Sequence, residues 1–315
     1  MIVTLTPNPS LDRALEVDEL VLGEVNRATA SHVHPGGKGI NVSRVLVRHG
    51  AATVAVLPSG GADGARLVEL LGERGVAAVA VPVAGDVRTN LTLVEHGGAT
   101  TKVNAPGPEL SAAEVDALVA AVEDQLRRRP DALVAAGSLP VGAPASLFVR
   151  VAGLAGRYGV PFGLDTSGEP LARAVRSGGV TLVKPNDEEL AEIVGRDLVT
   201  VGDAVDAARW VIDAGNRAVL LSLGAHGALL VTHDHTWWAG GDPLVPVSTV
   251  GAGDTTLAGF LLAGGDPAGR LQRAVAFGRA AVLLPGTAVP GPHDIHPEAV
   301  RVVAEPDHDL ALKEL

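Results

Sequence analysis

The chain has 315 residues, 47% of them hydrophobic, a formal net charge of −11 at pH 7 and no cysteine. That length and apolar content suffice for a sizeable core in one large domain or two smaller ones. The missing thiols exclude disulfides, thiolate nucleophiles and cysteine-bound metals, and the negative balance argues against a nucleic-acid partner, which needs a basic face.

The first residues, MIVTLTPNPSLD, lack the basic start and long apolar stretch of a signal peptide, and no apolar run has bilayer length. The expectation is a cytoplasmic protein with no membrane partner. Short β-rich runs then alternate with helical patterns: Ile2–Thr6, Ile40–His49, Thr53–Leu57, Ala65–Arg74 and Val76–Pro82. Further on come Ser111–Arg128, Ala132–Ala136, Pro144–Tyr158, Pro161–Leu164, Glu169–Ser177, Thr181–Val183, Asp187–Val194, Asp203–Ala214 and Ala218–Ser222. Such alternation predicts an α/β fold, a mostly parallel sheet with helices on both faces. Ser111 and Glu114 form a capping box that opens one of these helices.

Two regions break the alternation. Leu11–His34 and Arg88–Asn104 hold short strands without helices between them, and Thr89–Val103 reads as a hairpin. Together they predict one small β-sheet suited to act as a lid. After Asp254 the pattern is helical over Thr255–Ala263 and Pro267–Leu284, and the polar tail from Glu305 is expected to be loose. No internal repeat is present.

Chemistry concentrates in the glycine-rich segments. In STVGAGDTTLAG, residues 248–259, Gly251, Ala252 and Gly253 let backbone N–H groups approach a ligand at the start of a helix, where an anion such as a phosphate is favoured. Asp254 beside that site repels a phosphate unless it has a task, and the task that fits is taking a proton from an attacking hydroxyl. A glycine-rich turn with an aspartate at a helix start accounts for the segment equally well. In PGGKGINV, residues 35–42, the glycines again precede a helix; the segment is not a nucleotide P-loop, because Gly39 follows the lysine in place of Ser or Thr. Asp12 and Asn41 suit a polyol and Lys38 an anion, or a turn and a helix cap. Arg88 suits a phosphate or an exposed strand edge, and Asn104 a ligand or a turn.

GSLP at 137 and DTSG at 165 follow strands, where ligand crevices form in parallel sheets. In KPNDEE at 184–189, Asn186 and Glu189 fit a capping box or the ordering of water around a magnesium–nucleotide complex. SLGAHG at 222–227 lies against a nucleotide or turns between strands. Only four of the 25 basic residues are lysines (38, 102, 184 and 313), which marks places where a compact ammonium is preferred. The ten histidines offer no metal set: His32 and His34, like His233 and His235, alternate on strands without a third ligand, and His293, His296 and His308 suit solvent. Trp237 and Trp238 suit hairpin packing.

The order of these motifs resembles that of the ribokinase/PfkB family of carbohydrate kinases over essentially the whole chain. GGKGINVSRVLVRHG at 36–50 and STVGAGDTTLAG at 248–259 carry most of the resemblance, with RTN, GSLP, DTSG, VKPNDEE and SLGAHG in the family order. TPNPSLD, GEVN at 23–26, GGKGIN and TTKVNAPGP look most like 1-phosphofructokinases and tagatose-6-phosphate kinases. PSGGADG at 58–64 and PGTA at 285–288 look like minor 6-phosphofructokinases, which typically carry glycine where this chain has Lys38.

The resemblance implies a single ribokinase-like domain over 1–315: a doubly wound sheet plus a β lid at about 11–34 and 88–104. It implies Asp254 as the base and Gly251, Ala252 and Gly253 as the anion hole. Asp12, Gly37, Lys38, Asn41, Arg88, Asn90 and Ser138 would hold the sugar phosphate. Lys184, Asn186, Glu189, Ser222, Gly224 and Gly227 would line the ATP side, with Mg²⁺ held through water near Asn186 and Glu189. The implied reaction is ATP-dependent phosphorylation of fructose 1-phosphate to fructose 1,6-bisphosphate. The alternatives are fructose 6-phosphate or tagatose 6-phosphate as acceptor, or a sensor of sugar phosphate or nucleotide without catalysis. A dinucleotide oxidoreductase lacks its early GxGxxG. Exposed lid edges allow a homodimer.

Overall fold

The computed structural model describes residues 1–262 and 264–315. The chain begins with β1 (Ile2–Leu5), β2 (Ser10–Val17), β3 (Ala30–Gly36), α1 (Lys38–Arg48), β4 (Thr53–Ser59), α2 (Gly61–Glu73) and β5 (Ala77–Pro82). It continues through β6 (Arg88–Glu95), β7 (Thr100–Val103), α3 (Ala112–Leu126), β8 (Ala132–Ala136), α4 (Leu147–Tyr158), β9 (Phe162–Asp165) and α5 (Gly168–Ser177). Then follow β10 (Leu182–Val183), α6 (Asp187–Val194), α7 (Val201–Asp213), β11 (Ala218–Ser222), β12 (Ala228–Thr232) and β13 (Thr236–Gly240). The last elements are α8 (Ala252–Leu262), α9 (Pro267–Val282) and β14 (Arg301–Ala304).

Among the described residues the main sheet has ten strands in the order β14-β13-β12-β11-β10-β9-β8-β1-β4-β5. From β5 to β11 every pairing is parallel; β12, β13 and β14 add antiparallel neighbours. The strands are short apolar runs because both faces are covered. Successive side chains go to opposite faces. Val3, Leu133 and Ala135 pack with Val122, Phe148, Leu171 and Val211 of α3, α4, α5 and α7. Ile2, Val134 and Ala136 pack with Val45, Leu257 and Phe277 of α1, α8 and α9.

The chain winds from β1 outward to β4 and β5, then returns to β8 and winds the other way. Strand order therefore reverses beside β1, and the crevice outside the carboxyl ends of β1 and β8 is where an open α/β sheet places its ligand. The smaller sheet, β3-β2-β6-β7, is joined to this region by the short connection from β1 to β2 and by Gly37 between β3 and α1. In its register Asp12 lies opposite both His34 and Asn90. Leu11 and Val33 anchor it to Ile40 and Leu67.

Some expectations need correction. Helix α8 starts at Ala252 instead of Thr255, so Gly253 and Asp254 lie in its first turn; the Thr255 N–H to Gly251 carbonyl bond at 2.9 Å closes that turn. The predicted end of this helix at Ala263 lies outside the described residues. His233 and His235 sit in the turn between β12 and β13, not on a strand. The tail is docked, not loose. Val201 donates to the Leu310 carbonyl and Leu312 to that of Val199, both at 2.9 Å, and Leu312 enters the core. Its mean polarity hid Leu310 and Leu312, which supply the apolar contact.

Candidate active site

Packing fixes the N-terminus of α8. The helix is buried nearly all round, and it approaches α9 closely because Gly259 lacks a side chain: a Cβ there would come within 2.7 Å of Phe277 Cγ. Gly251 turns the chain into the helix with φ +77, a left-handed conformation that glycine adopts without strain. The first-turn N–H groups of such a helix have no intrahelical acceptor and carry its positive dipole end.

Asp254 is in this turn with 5% of its surface exposed. Its Oδ2 accepts a 2.8 Å hydrogen bond from Nδ2 of Asn41 in α1, 213 residues earlier. Burial and the neighbouring Asp165 carboxylate raise its pKa to about 7, against the opposing pull of Asn41, Lys38 and Lys184. A carboxyl poised there can accept a proton near neutrality. A narrow cleft lined by Asn41, Arg44, Gly251, Thr255 and Thr287 runs alongside.

Beside Asp254 lies an ion cluster in which Asp165 and Lys184 are buried and Lys38 is partly exposed. Gly37, at φ +117, admits the chain to α1, whose first residue is Lys38. Lys38 Nζ donates to Asp165 Oδ1 at 2.7 Å, and Lys184 Nζ stands 2.9 Å from Oδ2. Burial opposes the Lys38 charge, but the Asp165 carboxylate outweighs it and holds the ammonium above the ordinary lysine range. Burial likewise opposes the Asp165 charge, and Lys184 and Lys38 together keep its pKa below the usual aspartate value. Lys184 Nζ also lies 3.3 Å from where a Cβ on Gly253 would sit, so the glycine keeps the ammonium against the helix start.

A second group forms on the smaller sheet. Asp12 Oδ1 accepts from Ser10 Oγ at 2.8 Å and from Asn90 Nδ2 at 2.9 Å. Arg88 donates from Nη1 to the Ala105 carbonyl at 2.9 Å and from Nη2 to the Asn8 carbonyl at 3.1 Å, tying the 105–108 loop to the connection between β1 and β2. Asn8 Nδ2 in turn reaches Ser138 Oγ at 3.3 Å. Arg44 joins the two groups: its Nη1 donates to Asn41 Oδ1 at 3.1 Å, and it feels both Asp12 and Asp254. Burial and then Arg74 lower its pKa to about 10.

The third group follows β10 and β11. Asn186 Oδ1 accepts from the Glu189 N–H at 2.7 Å and Glu189 Oε2 from the Asn186 N–H at 2.9 Å, the capping box of α6. Ser222 Oγ donates to the Pro185 carbonyl at 3.3 Å, and Gly224 and Gly227 bracket the short turn before β12. Glu189 is close enough to support the Lys38 charge. Among the described residues no group of three or more His, Cys, Asp or Glu is placed to hold a metal ion.

The structure thus brings Lys38, Asn41, Lys184 and Asp254 together, gathers Asp12, Asn90, Arg88 and Ser138 in a second group reached through Arg44, and groups Asn186, Glu189, Ser222, Gly224 and Gly227 after β10 and β11. Sequence reasoning placed the DTSG segment where a ligand crevice forms but gave Asp165 itself no role, and gave none to Arg44 or Asn8.

A family model described as pfkB family carbohydrate kinase matches residues 6–294. The chain is 37% identical to the ATP-dependent 6-phosphofructokinase isozyme 2 of Mycobacterium tuberculosis, covering 97% of this chain and 90% of that protein. It is 38% identical to the 1-phosphofructokinase of Haloferax volcanii, covering 94% and 95%. The crystal structure of phosphofructokinase-2 from Escherichia coli in complex with potassium superposes with a TM-score of 0.87 at 34% identity, covering 93% of this chain and 96% of that one.

Proposed function

The chain belongs to the pfkB family of carbohydrate kinases, and from that premise we propose that it transfers the γ-phosphoryl group of ATP to the 6-hydroxyl of fructose 1-phosphate. The products are fructose 1,6-bisphosphate and ADP. One observation carries the reading: a buried carboxyl, Asp254, stands in the first turn of a helix that starts at a glycine-rich turn, with the Lys38 and Lys184 ammonium groups gathered beside it.

Phosphoryl transfer needs positioning and charge neutralisation more than covalent help. Ionised Asp254 takes the proton of the attacking hydroxyl. Gly251, Ala252 and Gly253 offer backbone N–H groups to the migrating phosphoryl, and Lys38 and Lys184 add fixed positive charge in a chain whose overall field repels anions. Asp12, Asn90, Ser138 and Arg88, with Gly37, Lys38 and Asn41, bind the sugar phosphate. Lys184, Asn186, Glu189, Ser222, Gly224 and Gly227 line the nucleotide side. The second oxygen of Glu189 is not used by the capping box, and as a hard donor it suits a Mg²⁺ ion held through water. When bound, that ion neutralises phosphate charge. The smaller sheet serves as the lid that excludes water from the transfer, within one domain spanning residues 1–315.

Lys38 supports fructose 1-phosphate as acceptor. PSGGADG, PGTA and the resemblance to a 6-phosphofructokinase favour fructose 6-phosphate as the second reading, with tagatose 6-phosphate beside it. Leu22 and Val25, exposed in the 18–29 segment of the smaller sheet, support a homodimer through the lid. No described helix is long and apolar enough to cross a membrane, and a cytoplasmic location is part of the proposal. The test is ADP release with fructose 1-phosphate, fructose 6-phosphate, tagatose 6-phosphate and ribose. Highest kcat/KM on fructose 1-phosphate supports the reading; preference for another sugar moves the acceptor, and no turnover on any of them refutes it.

A further inference from the structure

Asp165 ends β9 with 1% of its surface exposed, a charge buried where an unpaired one is strongly disfavoured. Its oxygens face two different cations. Lys38, the first residue of α1, meets Oδ1, and Lys184, just after β10, meets Oδ2. Among the described residues neither lysine has another carboxylate within ion-pair distance. Its backbone is pinned as well: the Asp165 carbonyl accepts from the Gly137 N–H, and the Leu164 carbonyl from the Lys184 N–H, both at 2.9 Å. Half of the chain's four lysines are thus gathered on one carboxylate, while arginines supply 21 of its 25 basic residues.

We propose that Asp165 is a positioning residue, the shared counterion that fixes the Lys38 and Lys184 ammonium groups beside Asp254 and so sets the acceptor-side and donor-side cations with a single buried charge. Lysine stems are flexible, and two ammonium groups in a low-dielectric site repel each other. A carboxylate between them turns that repulsion into two attractions. The catalytic consequence rests on the kinase reading; the placement of the lysines does not.

A structural role alone leaves the titration of the base unmoved, whereas this one does not. Asp254 is faced by Asp165 from the end of β9, by Lys184 from the segment after β10, and by Lys38, Asn41 and Arg44 from α1; Glu189 of α6 faces Lys38. Asp165→Asn removes a negative neighbour and leaves both ammonium charges uncompensated. Both changes favour ionised Asp254, so the acid limb of the rate profile moves to lower pH.

The experiment uses protein labelled with ¹⁵N at lysine, where four residues give a readable ammonium spectrum. The expected result is two lysine signals shifted by their carboxylate, from buried Lys184, which is also protected from exchange, and from Lys38, whose side chain is 41% exposed; both move in Asp165→Asn. That variant should lose roughly 10- to 100-fold in kcat, with its acid limb at lower pH than the wild type. An unprotected Lys184 in the wild type, both signals unmoved in Asp165→Asn, or an unmoved acid limb with normal kcat each overturn the proposal. Should Asp165→Asn not fold, Lys38→Met decides: Lys184 must stay protected and shift, and an unchanged Lys184 signal refutes a shared counterion. Signals that move in Asp165→Asn, in a protein that phosphorylates no sugar, uphold the lysine placement and refute only the kinase reading.

Discussion

Replacing Asp254 with asparagine should destroy activity and raise stability at the same time. Folding moves the pKa of this carboxyl from 3.8 to about 7. The native state therefore holds a proton that the unfolded chain releases between about pH 4 and pH 7, and stability falls as pH rises through that window. Once both states are ionised, the penalty is about 4 kcal/mol at about 1.4 kcal/mol per pH unit. Asparagine keeps an acceptor for the Asn41 amide and carries no charge to bury. Urea unfolding of the two proteins should coincide near pH 4 and diverge with pH, the variant being up to about 4 kcal/mol more stable at pH 8. Its kcat should fall roughly 10²- to 10⁴-fold while both substrates still bind. In the wild type kcat should rise with pH through about 7 and level off above it. An Asp254→Asn variant no more stable than wild type at pH 8, or one within a few-fold of normal turnover, refutes the assignment of a buried, charge-disfavoured base.

Arg88→Ala should raise KM for the sugar phosphate by roughly 10-fold or more and change KM for ATP little; equal losses for both ligands would show that the arginine only ties the Ala105 and Asn8 carbonyls together. Asn186→Ala removes the α6 cap and should cost about 1 kcal/mol by urea unfolding. A magnesium titration of the same variant should show a higher half-saturating concentration, and an unchanged one would separate the cap from the metal–nucleotide side. Phe148→Ala, at a fully buried position of α4, should cost about 3–5 kcal/mol by urea unfolding.

Local signals were legible in the sequence and long-range ones were not. Helix α6 has the predicted bounds, Asp187–Val194, because Asn186 and Glu189 cap it within four residues. Strand β8 likewise matches its apolar run, Ala132–Ala136. The start of α8 was misplaced because glycines read as loop, whereas packing against α9 enforces helix from Ala252. At the site, Asp254 stood out by its glycine context. Its partner Asn41 was legible as a polyol ligand or a helix cap but not as the partner of Asp254, since nothing local marks a hydrogen bond spanning 213 residues. Asp165 was harder still: its meaning comes from Lys38, 127 residues away, and from Lys184 on another strand end. The edge strand β14 pairs with β13 alone in the main sheet, and its short run of four residues carries no strong alternation.

The join between the smaller sheet and the main body has a mechanical consequence. Strands β2 and β6 are paired at eight positions, a register that favours the smaller sheet acting as one plate over peeling strand by strand. One residue, Gly37, separates the end of β3 from Lys38 and the helix that carries Asn41. The plate extends roughly 23 Å from that point, at about 3.3 Å per residue over β3. A tilt of that plate about Gly37 would be carried first to the start of α1, and so to the Lys38 ammonium and the Asn41 amide.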